Sequence, residues 1–157
     1  MRNLAKFFFT FDGRIPRKEW WLGQTPLFIA STLVTRYFDP TLFDLDAPIA
    51  PPNVADTVIQ SLLAVPTLAL ISKRFNDRGW PRSMLYLTAL GTAAILFGPH
   101  LGVWLTPDSG SPGETIAILI AAAAIALLVI DNGVLRGQTG PNQHGPDPLA
   151  ARAPDTP

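Results

Sequence analysis

The 157-residue chain carries 12 basic and 12 acidic side chains for a net charge of zero, so no overall field favours nucleic acid. It has no cysteine, which excludes disulfides, zinc–thiolate and iron–sulfur centres and cysteine nucleophiles. Its hydrophobic share of 48% is ordinary for a soluble domain, but the charges gather in short stretches between long apolar blocks.

In chain order, residues 1–19 are too charged and aromatic for a secretory signal. Within them, Leu4 to Phe11 is too short to span and is expected to lie flat at the headgroup level. Four apolar blocks follow, at about 20–38, 54–72, 84–105 and 115–135. Each approaches the roughly 20 helical residues that cross a hydrocarbon core of about 30 Å. The first is the most polar, with Gln24 and Pro26 inside. The second holds Gln60 and Pro66, the third is interrupted by Gly98-Pro99-His100, and the fourth contains the run Ala121 to Ala124. Such blocks predict an all-α membrane protein: four transmembrane helices preceded by a short N-terminal interfacial helix. Residues 20–135 would form one transmembrane domain, with a Pro/Gly-rich tail at 136–157. Ser111-Pro112-Gly113-Glu114 reads as a capping box, Asn53 as an N-cap, and Pro16 and Pro81 as first-turn prolines.

Lysine and arginine counts set the orientation. Five precede the first block, four lie between the second and third, and two follow the fourth. Arg36 is the single exception. Both termini are therefore expected in the cytoplasm. Trp20, Trp21 and Trp80 would form the inner aromatic belt, and Tyr37 and Trp104 the outer one.

Three segments on the expected cytoplasmic face stand out: Phe11-Asp12-Gly13-Arg14-Ile15-Pro16-Arg17-Lys18-Glu19-Trp20-Trp21, then Lys73-Arg74-Phe75-Asn76-Asp77-Arg78-Gly79, then Gly137 to Pro148 with Gly140, Asn142, Gly145 and Asp147. In register around the spans, they resemble the bacterial inner-membrane family called domain of unknown function 805. Asn76 stands where that family more often has histidine, which argues against imidazole or metal chemistry. Pro16 replaces a common serine cap. The resemblance implies a small multi-span inner-membrane protein and no established activity.

By their own chemistry, Arg14, Arg17, Lys18, Lys73, Arg74, Arg78 and Arg82 would form a basic ring, with Glu19, Asp77 and Asp131 as internal partners. The glycines at 13, 79, 137, 140 and 145 permit tight turns that bring backbone N–H groups together. One reading is a phosphate or anionic-lipid headgroup site, because arginine forks match phosphate. The other is topology determination plus an ion-paired cap that locks the helix ends. Gln24 and Gln60 read as interhelical hydrogen-bonding residues, and Asp131 as an ion-pair partner of Arg74, Arg78 or Arg136. His100 and His144 fall on opposite faces, and no catalytic motif is present. No enzyme, cofactor or metal is expected. The leading expectation is association with anionic lipids, a protein partner or further copies of the chain. The alternative is a small oligomeric transporter or channel.

Overall fold

A computed structural model of the chain describes residues 3–44, 53–102 and 112–150. Among them the regular structure is helical, apart from an isolated antiparallel bridge between Asn142 and Gly145. Helix α1 spans Leu4–Phe9, and the Asn3 side chain caps it by accepting from the N–H groups of Ala5 and Lys6. Helix α2 spans Arg17–Phe38, α3 Val54–Arg78, α4 Arg82–Phe97 and α5 Pro112–Val129. Asn53 caps α3 as expected, accepting from Ala55 N–H at 2.8 Å. Pro16 and Pro81 are the residues just outside the first turns of α2 and α4.

The helix ends depart from the sequence reading in instructive ways. Helix α3 does not stop at Ser72 but runs to Arg78, so the second motif is its last turn and a half. Those charged residues stay helical because their side chains find partners. Gly79, at φ 73°, then ends the helix in the left-handed conformation that glycine tolerates. Helix α4 is shorter than expected. It tightens at Gly98 into a 3₁₀ turn to Leu101, where Pro99 cannot donate to the α-helical ladder. Helix α5 widens into a single π turn over Ile130–Val134, the sequence Ile-Asp-Asn-Gly-Val. Trp104, Ser111 and the Glu114 side chain lie outside the described residues, and so does the end of the tail.

Three stretches are long and apolar enough to cross a membrane: Val54–Arg78, Arg82–Leu101 and Thr115–Val134. The first expected span, α2, is 22 residues long but falls short in apolarity. The reason lies in its pairing with α3. Gln60 of α3 donates to Ser31 O at 3.0 Å and to Thr35 Oγ1 at 2.8 Å, and accepts from Ser31 Oγ at 2.8 Å. Ser31 and Thr35 of α2 thus bond to its neighbour, where each interhelical bond contributes about 0.6–2 kcal/mol. Gln24 does not share in this: its Oε1 is buried without a partner among the described residues. At the far end, His100 Nε2 and Thr57 Oγ1 lie 2.8 Å apart and join the 3₁₀ turn to the start of α3.

Packing is uneven. Helix α2 packs on α3, α3 on α4 and α1 on α3, while α4 buries none of its residues. The buried core is Ile15, Trp20 and Leu70, backed by Phe7, Phe8 and Leu27. It sits at the end of the helices that carries the motifs. Trp20, read from sequence as a belt residue, is only 2% exposed and belongs to this core. The best-packed region of the protein is therefore its most charged one.

Candidate functional site

The motif-bearing end is built around Arg74, which is completely buried near the close of α3. A buried guanidinium needs a counter-charge and acceptors for its N–H groups. Asp77, one turn on, supplies the carboxylate, and the carbonyl oxygens of Asn132 (2.6 Å) and Leu135 accept the rest. Those carbonyls lie at the π turn that ends α5, where C=O groups lack intrahelical partners. Neighbouring side chains complete the capping. Trp21 Nε1 donates to Gly133 O at 2.9 Å, and Arg17 donates to Val134 O at 3.1 Å. Cations at a helix C-terminus also meet the negative end of its dipole. The π turn is thus fastened to α2 and α3 by backbone acceptors.

The second anchor is Arg14. Its Nε donates to Asp77 Oδ1 at 3.1 Å, so Asp77 bridges two buried arginines. Its other nitrogens donate to Gln138 O at 2.5 Å, Gly140 O at 2.7 Å and Gly145 O at 3.2 Å. The tail loop therefore wraps the Arg14 guanidinium with carbonyls. Gln138 N–H donates to Asp77 O at 2.8 Å, and Asn142 Nδ2 donates to Asn76 O at 2.9 Å. Asn76 in turn donates through Nδ2 to Phe11 O and Gly13 O. An amide at position 76 thus ties the first motif to the second and takes the third on its carbonyl. Gly137 is needed for close approach, because a Cβ there would overlap the Asp77 carboxylate.

Asp147 closes the loop by accepting from Gly140 N–H and Leu149 N–H, each at 2.9 Å. Those bonds, Leu149 first, hold its carboxyl below the ordinary value of 3.8. A carboxyl depressed in the folded state contributes stability that is complete above its unfolded pKa and lost as pH falls through the folded one. Amide protection of Gly140 and Leu149 should hold at neutral pH and decline below about pH 4, near the unfolded carboxylate value. Protection factors measured against pH check this, and Asp147→Ala should abolish the dependence.

The remaining candidates divide into inward and outward sets. Lys73 is buried and caps α1, donating to Lys6 O at 2.8 Å and Phe7 O at 2.6 Å. Glu19 is buried in the first turn of α2, where a carboxylate complements the positive helix end. Arg78 pairs with Asp131 at 3.2 Å and donates to Arg136 O, and Trp80 Nε1 reaches the same carboxylate at 3.1 Å. Of the three partners expected for Asp131, Arg78 takes it. Arg82 meets Asp12 at 3.3 Å in a pair 68% and 85% exposed, an arrangement worth little to stability. Arg17, Lys18 and Arg136 face outward around a cavity of about 340 Å³, floored by Gln138, Thr139 and Asp147. The start of α2, Pro16 to Lys18, lines it too, and no side chain caps that helix among the described residues.

Sequence reasoning named the arginines and their carboxylate partners but not the backbone acceptors. It did not single out Asn132, which is fully buried, and it read Arg136, a rim residue, only for orientation and as one possible partner of Asp131. Backbone carbonyl partners leave no signature in a sequence. The run Asp-Asn-Gly after an apolar helix was the available hint that the helix changes character there.

The family model described as "Protein of unknown function (DUF805)" matches residues 8–146, a range holding the anchors Arg14, Arg74 and Asp77 and the tail loop as far as Pro146. The protein called "Uncharacterized protein YiiR" from Escherichia coli strain K12 is 30% identical over 155 residues, covering 92% of this chain and 90% of the relative. Its counterpart from Escherichia coli O157:H7 matches to the same extent. No solved structure matches the chain.

Proposed function

Since the chain belongs to the DUF805 family, whose description assigns no activity, we propose from its geometry that it is a non-enzymatic, four-span inner-membrane protein that binds anionic lipid headgroups at its cytoplasmic end. The fourth crossing in this reading is α2. Ser31 and Thr35 are satisfied against Gln60 of α3, while Leu22, Phe28 and Leu33 are 64–68% exposed, as a lipid-facing surface requires. With α2 spanning, basic residues concentrate on the side that holds both termini.

The observation that carries the headgroup reading is the cavity rimmed by Arg17, Lys18 and Arg136. Arg14, Lys73 and Arg74 are consumed by internal acceptors, whereas Lys18 and Arg136 face outward and Arg17, which gives one N–H to Val134 O, keeps further N–H groups for a phosphate. Each basic residue near an anionic surface adds roughly 1 kcal/mol of attraction. In purified protein, phosphatidylglycerol should therefore be retained over phosphatidylcholine in native mass spectra. Arg17→Gln with Lys18→Gln and Arg136→Gln should weaken that preference by about a hundred-fold, the equivalent of roughly 3 kcal/mol. An unchanged preference in the triple variant would end the reading. The transporter alternative draws on Gln24 and Gln60, and Gln60 is engaged between α2 and α3 rather than turned to a pathway.

A further inference from the structure

A second cavity, of about 480 Å³, opens at the motif-bearing end and shares no lining residue with the basic one. It lies between the first motif, the last turns of α3 and the start of α4. Phe11, Phe75, Trp80 and Tyr86 give it an aromatic wall. Asp12 and Arg82 stand in the same lining with opposite charges 3.3 Å apart. Further from the motifs the lining turns to Leu68, Leu85 and Ala89. From Arg82 to Ala89 that is a descent of about 10 Å at the helical rise of 1.5 Å per residue. The cavity is thus charged at one end and hydrocarbon at the other.

We propose that this cavity binds an aminophospholipid, its phosphate on Arg82 and its primary ammonium on Asp12 among the aromatic rings. The charges carry the argument. Arg82 gives one N–H to one oxygen of Asp12, and neither side chain has another hydrogen-bond partner among the described residues. Both are largely exposed, so their contact stabilises the protein little and opens readily to a ligand that satisfies each. The guanidinium fork matches a phosphate, and the second carboxylate oxygen accepts from an ammonium N–H. An ammonium seated there also meets ring faces, which attract a cation. A purely anionic headgroup would instead meet the Asp12 carboxylate as a like charge. The site therefore favours a headgroup that carries both signs, unlike the basic cavity, and lies beyond the anionic-headgroup reading.

The remaining geometry suits an amphiphile. Ser72 and Asn76 both donate to Phe11 O and fix the Phe11-Asp12 step against α3, so the polar end is preorganised. Trp80 is held through its Nε1 on Asp131 at 3.1 Å, which sets one ring at interface level. Arg82 opens a helical stretch long and apolar enough to cross a membrane. A headgroup on Arg82 then lays its acyl chains along Leu85 and Ala89, in hydrocarbon. A water-soluble ligand would leave that part of the lining uncovered.

The test uses the whole protein in detergent with defined lipids, read by native mass spectrometry. Phosphatidylethanolamine should be retained over phosphatidylcholine, whose trimethylated ammonium offers no N–H to Asp12. Asp12→Asn and, separately, Arg82→Gln should each weaken phosphatidylethanolamine retention by about five-fold. Thermal unfolding should be unchanged in both, because the pair is exposed. Phosphatidylglycerol retention should not fall in Asp12→Asn. The charge variant at Arg17, Lys18 and Arg136 should keep its phosphatidylethanolamine, so the two lipid sites stand or fall separately. Equal retention of phosphatidylethanolamine and phosphatidylcholine, or retention unmoved by either single substitution, would overturn the proposal. So would displacement of the lipid by free phosphoethanolamine at equal concentration, which would assign the cavity to a soluble ligand.

Discussion

Arg74→Ala is expected to cost about 3–5 kcal/mol of stability, more than any other single substitution at the motif-bearing end. Truncation strands the buried Asp77 carboxylate with one of its two guanidinium partners and leaves the carbonyls of Asn132 and Leu135 without their donor. Helix α5 meets α2 and α3 through its π turn, where these carbonyls lie or which they adjoin, so its docking should fail first. Unfolding in mixed detergent, followed by circular dichroism, measures the loss. Arg74→Met combined with Asp77→Leu removes both charges and should be more stable than Arg74→Ala alone, because an apolar pair avoids the stranded ion. A loss below about 1 kcal/mol for Arg74→Ala would show that the pair is not the keystone of this end.

Arg14→Ala should release the tail loop while leaving the helices in place. Three carbonyls and one carboxylate converge on the Arg14 side chain, and hydrogen bonds to a charged group contribute about 1.5–3 kcal/mol each. Amide protection across 138–147 should fall by about a hundred-fold or more, and a protease should cleave there before it attacks any helix. Arg14→Lys should not restore protection, since an ammonium lacks the planar fork that reaches several acceptors at once. Loss of helix content in step with loop exposure would show instead that loop and bundle form one cooperative unit.

The apolar helices and the importance of the three motifs were legible in the sequence because periodicity, length and charge placement are local properties. Asn53 as a cap and Asp131 as an ion-pair partner were legible for the same reason. What the sequence did not disclose is direction. Arg14, Lys73 and Arg74 look the same in a string of letters as Arg17 and Lys18, yet the first three turn inward. Direction depends on which backbone carbonyls another segment brings within reach, and no residue type encodes that. Trp20 shows the same limit: an aromatic at the expected interface level proved to be core, because Ile15 and Leu70 close over it. Helix α2 shows the converse. Its hydropathy is lowered in part by Ser31 and Thr35, which Gln60 satisfies, a compensation visible only once the two helices are side by side.

That compensation supports the proposed four-span arrangement, and single-cysteine labelling on the naturally cysteine-free chain tests it directly. Asp44 follows α2 and Gln143 lies in the tail loop, and both are exposed. If α2 crosses the membrane with the motif face inside, Asp44→Cys in intact cells reacts with a membrane-impermeant maleimide, whereas Gln143→Cys reacts only after the membrane is opened. Labelling of Gln143→Cys in intact cells, or protection of Asp44→Cys until lysis, would contradict the arrangement.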